Sequence, residues 1–292
     1  MKDGRPLQEE RVLESLEHYY AGLLTNAEAT ARQYRMPSVP GDIVYWEWGA
    51  SRETTAILVH GGSGSWLHWF PIVEQLAPRH RVIAVDLPGF GESTTSRIAR
   101  IDQVSDGLGL LLGAAGSKHT EIVGFSFGAV VAAMALDALN WPFRLHVVSP
   151  AGFGSSAIDQ NRFVPWKSAK TPEGRLSAHR RNLVAGMVAC GDYATPTVVM
   201  AYARAVEAAQ FDSRQVSYSR RFEALLPMAR IASATWGGSD AFAGADLPRR
   251  VKLFREAHQS VPWFVVEKAG HWLQLEESAF VADWLLEHAF AE

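Results

Sequence analysis

A serine, a histidine and an aspartate in this sequence have the local surroundings that nucleophilic catalysis requires. Ser126 lies at the centre of GFSFG, residues 124–128, which matches the pattern G-x-S-x-G. A serine hydroxyl is a weak nucleophile at neutral pH, so it needs a general base, and the base needs an acid to orient it. His271 in AGHW and Asp240 in WGGSD supply that base and that acid, and Asp246 is a competing acid. The three residues follow one another as nucleophile, acid and base, and they predict acyl transfer.

The context of Ser126 matters more than the short pattern, which a shuffled chain of this composition would show in roughly one case in seven. The β-rich run 120–124 precedes Ser126, and the alanine-rich, helix-like run 129–139 follows it. A sharp strand-to-helix turn exposes a serine hydroxyl, and small flanking glycines allow the two elements to approach closely. The context therefore favours a nucleophile over a chance match.

A second glycine-rich segment could stabilise the negative charge that acyl transfer develops. HGGSG, residues 60–64, follows the β-rich run 55–59. Unblocked backbone N–H groups in such a loop can point into a site, and we expect donors from Gly62 and from Phe127, the residue after Ser126. A glycine-rich loop could also bind phosphate, but the G-x-G-x-x-G spacing and the P-loop lysine are both missing.

The elements that must position these residues alternate between strands and helices. Short runs rich in Val and Ile, near-continuously apolar in the middle of the chain, are typical of a parallel sheet buried on both faces. Helix-like runs between them predict a doubly wound, mostly parallel α/β sheet. The alternation stops over residues 152–226, which we interpret as an inserted helical cap between core segments 1–151 and 227–292. The predicted strands are 43–48, 55–59, 81–87, 120–124, 144–148, 231–236 and 263–267.

Composition and charge exclude several other classes of protein. The 292 residues are 48% hydrophobic and carry a net charge of −3, which argues against a nucleic-acid partner bound through phosphate neutralisation. The longest apolar stretch is too short to cross a bilayer, and the N-terminus has no apolar signal core. Cys190 is the single cysteine, and no Cys/His cluster has zinc-ligand spacing. We expect a soluble, cytoplasmic protein with a small-molecule substrate, no metal, no cofactor and no membrane partner. The sequence is compatible with a monomer or a homo-oligomer.

Five segments in order resemble the α/β-hydrolase superfamily across nearly the whole chain: HGG at 60–62, DLPGFGES at 86–93, GFSFG, WGGSD and GHW. The resemblance implies the α/β-hydrolase fold, the triad Ser126–His271–Asp240 and the oxyanion hole. The segment that begins at Asp86 is similar to the family's structural loop after the fourth strand and implies no catalytic role. Within the superfamily the chain is similar to both carboxylesterases and meta-cleavage-product hydrolases, which break a carbon–carbon bond in a dienoate.

Three further residues are candidate substrate contacts. In the meta-cleavage-product hydrolases a cap arginine binds the substrate carboxylate, and Arg204 is the nearest match. Those enzymes carry asparagine before the nucleophile where this chain has Phe125, which suits an apolar acyl or alcohol group better. Trp272, beside the predicted base, is the third candidate.

We therefore expect cleavage of a carboxylic ester, with carbon–carbon cleavage and a non-catalytic ligand-binding protein as alternatives. Several apolar cap residues should line the pocket over Ser126, because ligand sites are mostly apolar. The candidates are Phe163, Trp166, Leu176, Leu183, Met187, Tyr193, Met200 and Tyr202.

Overall fold

The computed structural model describes residues 5–39, 41–93, 100–116, 119–140, 143–154 and 159–288, with side chains from residue 10 onward. A single sheet runs through the centre of the described residues. Its strands are β1 (Arg32–Met36), β2 (Ile43–Trp48), β3 (Thr55–Val59), β4 (Arg81–Asp86), β5 (Thr120–Phe125), β6 (Arg144–Val148), β7 (Ile231–Gly237) and β8 (Trp263–Val266).

The strand order across this sheet is β1-β2-β4-β3-β5-β6-β7-β8. Strand β2 runs antiparallel to both of its neighbours, and the pairs from β4 through β8 are parallel. Every residue of β3 is buried, as expected for a parallel strand that is covered on both faces. The predicted doubly wound, mostly parallel α/β sheet is confirmed. Parallel strands end at one edge of the sheet, so the loops after β3, β5, β7 and β8 meet there.

Helices cover both faces of the sheet and enclose two apolar clusters. The helices are α1 (Arg5–Thr30), α2 (Val73–Leu76), α3 (Ile101–Ala115), α4 (Phe127–Leu139), α5 (Pro172–Gly186), α6 (Pro196–Ala208), α7 (Arg214–Ser217), α8 (Arg221–Leu225), α9 (Leu247–Ala257), α10 (Leu273–Glu276) and α11 (Ser278–His288). One cluster packs helices α3, α4 and α9 against the sheet, and the other packs α1, α2 and α11 against the opposite face.

Helices α5 to α8 lie between β6 and β7, which pair directly with each other in the sheet. Residues 152–226 are called the inserted segment below. The structure describes 152–154 and 159–226 of it, and that part contains no strand. Its boundaries as a separate cap domain remain a prediction.

The N-terminal helix α1 packs on both the core and the inserted segment. The Tyr20 hydroxyl donates to the Leu275 carbonyl at 2.9 Å, just after the loop that carries His271. The Glu17 carboxylate accepts the backbone N–H and the hydroxyl of Thr197 at 3.0 and 2.8 Å, at the first turn of α6. No helix within the described residues combines the length and the apolar character needed to cross a membrane.

Candidate active site

Ser126 occupies the tight turn between β5 and α4. Its backbone has φ 51° and ψ −115°, a conformation that is costly for a residue with a side chain. The flanking glycines permit the turn: a Cβ on Gly124 would lie 2.6 Å from Ala129 Cα, and a Cβ on Gly128 would overlap the carbonyl oxygen of His60. The spacing of G-x-S-x-G therefore follows from how closely strand, helix and neighbouring loop approach. The strained turn places the Ser126 hydroxyl at the carboxyl edge of the sheet.

The loops after β7 and β8 bring Asp240 and His271 to Ser126. His271 Nε2 lies 2.9 Å from Ser126 Oγ, and His271 Nδ1 lies 2.7 Å from Asp240 Oδ2. The other carboxylate oxygen, Asp240 Oδ1, accepts the backbone N–H groups of Phe242 and Ala243 at 2.8 and 3.3 Å. A carboxylate bound in this way holds Nδ1 as a donor, which leaves Nε2 free to accept the serine proton.

Asp246, the competing acid, lies elsewhere. Its carboxylate pairs with Arg250 Nε at 3.1 Å and with Arg249 Nη1 at 3.6 Å. The geometry therefore brings Asp240 rather than Asp246 to His271, in keeping with the preference drawn from sequence.

Gly62 and Phe127 face each other across the loops beside Ser126. Phe127 is the first residue of α4, so its N–H has no partner within the helix. A Cβ built on Gly62 would lie 3.6 Å from Phe127 Cβ, which places the two backbones side by side. Gly62 also lines the cavity that contains Ser126. The N–H groups of Gly62 and Phe127 remain the predicted donors of an oxyanion hole.

His60 fixes the glycine-rich loop to the core. Its Nε2 accepts the Leu87 N–H at 3.0 Å, and its Nδ1 lies 2.7 Å from the Gly61 carbonyl, to which it donates. Full burial penalises the imidazolium and lowers the pKa of His60 to about 4. Neutrality is also what the two hydrogen bonds require, since a neutral imidazole has one donor and one acceptor.

We expect His60 to stay neutral as the pH falls from 8 to about 5, because its pKa is lowered and the charged form appears only near pH 4. Long-range ¹H–¹⁵N correlation spectra of histidine-labelled protein should show a fixed Nδ1–H tautomer across that range. The His60→Gln variant identifies the signals. A His60 titration centred near pH 6.5 would contradict the assignment.

Asp86 supports the same loop from the end of β4. Its carboxylate oxygens accept the backbone N–H groups of Trp66 at 2.7 Å and Glu92 at 2.9 Å. Burial raises the pKa of this carboxyl to about 7, and the two donated hydrogen bonds oppose the shift. Gly91 has a positive φ, and a Cβ there would overlap the carboxylate. Asp86 is thus part of a loop anchor, and it does not line the cavity.

A cavity of about 690 Å³ lies over Ser126, and residues of the inserted segment form much of its lining. Four of the eight expected apolar residues line it; Leu183 is buried away from it, Leu176 and Met200 are exposed, and Tyr193 lies outside it. The lining also includes polar residues, among them Ser213, Ser217, Tyr218 and Arg250. The apolar residues that line it are Phe163, Trp166, Met187 and Tyr202.

The three predicted substrate contacts have different positions. Phe125 lines the cavity, and its ring centroid lies 5.1 Å from that of His271. Trp272 is fully buried and is not part of the cavity lining; its Nε1 donates to the His68 carbonyl at 2.9 Å, a contact that holds the loop of His271.

Arg204 also lies outside the cavity, so the structure does not bring this predicted anchor to Ser126. Its guanidinium is 49% exposed and pairs with Glu28 at 2.9 Å and Glu92 at 3.1 Å. The buried face of α6 consists of Val198, Val199 and small residues, which turns Arg204 outward.

Two polar residues of the cavity wall were missed by sequence reasoning. Arg250 is only 4% exposed, and it donates to Asp246 and to the Phe242 carbonyl. Ser213 is 5% exposed and faces Gly62. Neither lies in a recognisable motif; for Arg250 the signal available in the sequence was its i,i+4 spacing from Asp246.

Comparison with known proteins agrees with this architecture. The model of the family described as "Alpha/beta hydrolase family" matches residues 56–284. The chain is 31% identical over 132 residues to the dihydrolipoyllysine-residue acetyltransferase component of the acetoin cleaving system of Cupriavidus necator, covering 44% of this chain and 35% of that protein. It is 36% identical over 90 residues to the pimeloyl-[acyl-carrier protein] methyl ester esterase of Aeromonas hydrophila, covering 31% and 34%. The matches thus span about a third of the length of these relatives.

Solved structures share the fold over most of the chain. Naproxen esterase from Bacillus subtilis aligns with a TM-score of 0.68 at 16% identity, covering 92% of this chain and 96% of that one. The meta-cleavage product hydrolase from Pseudomonas fluorescens aligns with a TM-score of 0.67 at 19% identity, covering 87% and 96%. At these identities the likeness concerns the fold alone.

Proposed function

Since this chain belongs to the alpha/beta hydrolase family, we propose that it is a serine hydrolase that cleaves carboxylic esters through an acyl-enzyme intermediate. The observation that carries the proposal is the pair of hydrogen bonds made by His271, one to Ser126 Oγ and one to Asp240 Oδ2. Together with the cavity above Ser126, this pair supplies a nucleophile, a base and space for a substrate.

In the first half of the reaction, Ser126 Oγ attacks the ester carbonyl carbon while its proton moves to His271 Nε2. The carbonyl oxygen becomes negative and accepts hydrogen bonds from the N–H groups of Gly62 and Phe127. Asp240 stabilises the imidazolium that forms, because its carboxylate already accepts the Nδ1 proton. His271 then donates the proton from Nε2 to the leaving alkoxide, and an acyl ester of Ser126 remains.

In the second half, His271 accepts a proton from a water molecule, which attacks the acyl carbon. The same oxyanion hole holds the negative oxygen, and the proton returns from His271 to Ser126 Oγ as the carboxylic acid leaves. In both steps His271 accepts each proton that is released and then donates it to the leaving group.

The cavity indicates the class of ester. Its volume of about 690 Å³ lies within the usual range for small-molecule sites. Phe163, Trp166 and Met187 form an apolar wall, which favours a largely apolar acyl or alcohol group. Phe125 beside the nucleophile adds another apolar surface.

Carbon–carbon cleavage of a dienoate is the weaker candidate. That reaction must protonate the dienoate and bind its carboxylate, which needs polar groups in addition to a triad. The ring of Phe125 lies where the resemblance leads one to expect asparagine, and Arg204 is outside the cavity. Arg250 is the buried cation of the cavity wall, but Asp246 already pairs with it.

A substrate panel tests the proposal. We expect the wild type to hydrolyse p-nitrophenyl acetate, butyrate and octanoate with much higher kcat/KM than a ring-fission dienoate, because an ester needs only the triad and the oxyanion hole. Steady-state absorbance assays measure kcat/KM for the esters and for the dienoate. Efficient cleavage of the dienoate that is lost in Arg250→Gln or Arg204→Ala would reverse the assignment.

Two methionine variants serve as matched controls for the role of the cavity in this panel. Met187 lines the cavity, whereas Met200 lies on α6 and is exposed. Met187→Ala should change the ratio of octanoate to acetate kcat/KM by about threefold to tenfold, because the pocket wall changes by a few methylene groups. Met200→Ala should leave that ratio unchanged.

A further inference from the structure

The inserted segment places one hydroxyl directly against the glycine of the oxyanion loop. A Cβ built on Gly62 would overlap Ser213 Oγ and would lie 3.1 Å from Ser213 Cβ. Ser213 and Phe127 thus both approach the Cα atom of Gly62 closely. Ser213 and Gly62 both line the cavity.

The Ser213 hydroxyl has no hydrogen-bond partner among the residues that the structure describes, although the residue is only 5% exposed. Ser213 Oγ is not one of the fully buried unpaired side-chain atoms, so it stays accessible from the cavity and can donate to a ligand atom or a water there. The charged residues on either side of Ser213 pair with each other. The Asp212 carboxylate accepts hydrogen bonds from Nε and Nη2 of Arg214, at 2.8 and 2.7 Å. Ser213 therefore presents a neutral donor rather than a charge.

Contacts on both sides of Ser213 hold it in place. The Gln210 N–H donates to the Gly89 carbonyl at 2.8 Å, and the Phe211 ring centroid lies 6.1 Å from that of Phe127. After Ser213, the Ser217 carbonyl accepts the N–H of Gly152 at 3.0 Å. A donor fixed in advance in this way stabilises charge in a transition state without a reorganisation cost.

We propose that Ser213 Oγ–H is a third donor of the oxyanion hole, supplied by the inserted segment to the substrate oxygen that Gly62 and Phe127 also bind. The inference rests on the proposed function. Ser213 keeps its proton throughout and donates a hydrogen bond that strengthens as the carbonyl oxygen becomes negative. It is therefore a catalytic residue in addition to the triad, and the oxyanion hole is complete only when the inserted segment is docked on the core.

Kinetics of Ser213→Ala on p-nitrophenyl butyrate test the proposal. We expect kcat to fall roughly 10- to 100-fold with KM changed less than about threefold, because the lost hydrogen bond is made to a developing charge. Affinity for a trifluoromethyl ketone, which forms an oxyanion on the nucleophile, should fall by a similar factor. Ser213→Thr keeps the hydroxyl and should recover most of kcat, with the thermal midpoint of each variant measured as a check on folding.

Ser219→Ala is the control for a hydroxyl of the same segment, since Ser219 lies two residues after α7 and outside the cavity. Its kcat should stay within about twofold of wild type. A kcat for Ser213→Ala within about twofold of wild type, or an equal loss in Ser219→Ala, overturns the proposal. A loss confined to Ser63→Ala, the hydroxyl next to Gly62 on the core side, assigns the third donor to the core and overturns it as well.

Failure of this inference and failure of the proposed function give different results. Normal turnover in Ser213→Ala, with an inactive Ser126→Ala, rejects the third donor and keeps the serine hydrolase. A wild-type protein that hydrolyses no ester and is not labelled by a fluorophosphonate rejects both.

Discussion

Replacing Ser126 by alanine is expected to lower ester turnover by about four to six orders of magnitude, because it removes the atom that forms the acyl intermediate. His271→Ala should cost a similar factor, since the base is useful only with its nucleophile. The double variant should be little worse than either single one, because residues that act as a unit are strongly non-additive. Single-turnover and steady-state assays on p-nitrophenyl butyrate measure these losses.

The control for this result is covalent labelling. A fluorophosphonate should modify wild-type protein at Ser126, and peptide mass mapping identifies the position. Ser126→Ala should remain unlabelled while keeping its circular dichroism spectrum. Near-normal esterase activity in Ser126→Ala would show that a different group is the nucleophile.

Replacing Asp240 by asparagine is expected to lower kcat by about four orders of magnitude without unfolding the protein. Asparagine keeps the size of the side chain, and its oxygen can still accept the N–H groups of Phe242 and Ala243. Its NH₂ group cannot accept the His271 Nδ1 proton, so the imidazole loses both its orientation and the charge that stabilises the imidazolium. Steady-state kinetics together with the thermal unfolding midpoint separate a catalytic loss from a folding defect.

Asp246→Asn is the matched comparison, because Asp246 lies in the same loop region but pairs with Arg249 and Arg250. It should affect stability more than turnover, since it leaves the buried Arg250 without its anionic partner. A large loss of kcat in Asp246→Asn with an active Asp240→Asn would reassign the acid.

The strands of the sheet and the residues Ser126, Asp240 and His271 could be predicted from the sequence because local sequence patterns mark them. The runs 43–48, 55–59 and 144–148 are observed as β2, β3 and β6 with the same bounds. Their apolar character follows from burial alone, so composition predicts them well. The approach of Ser126, Asp240 and His271 also follows from chain order, because parallel strands end at one edge of the sheet.

Elements whose signals are not local were predicted less well. Strand β1 has the sequence RQYRM and is almost entirely exposed, so no apolar alternation marks it. Residues 66–76 form a 3₁₀ turn at Trp66–His68 followed by the short α2, with Pro71 between them.

The side chains that face the cavity from the inserted segment depend on tertiary packing. Arg204 in its alanine-rich helix looked like a candidate anchor and is turned outward by the packing of α6. Ser213 carried no local signal at all, since its position depends on how residues 209–218 lie on the core.

The N-terminal helix gives two distant parts of the site a common support. Through Tyr20 it holds the chain just beyond His271, and through Glu17 it holds the first turn of α6. Movement of the inserted segment away from the catalytic base must therefore break a carboxylate contact at α6 or drag α1 along. None of the described side chains of α1 lines the cavity. By contacting both α6 and the chain beyond His271, α1 couples movements of the inserted segment to movements of the core.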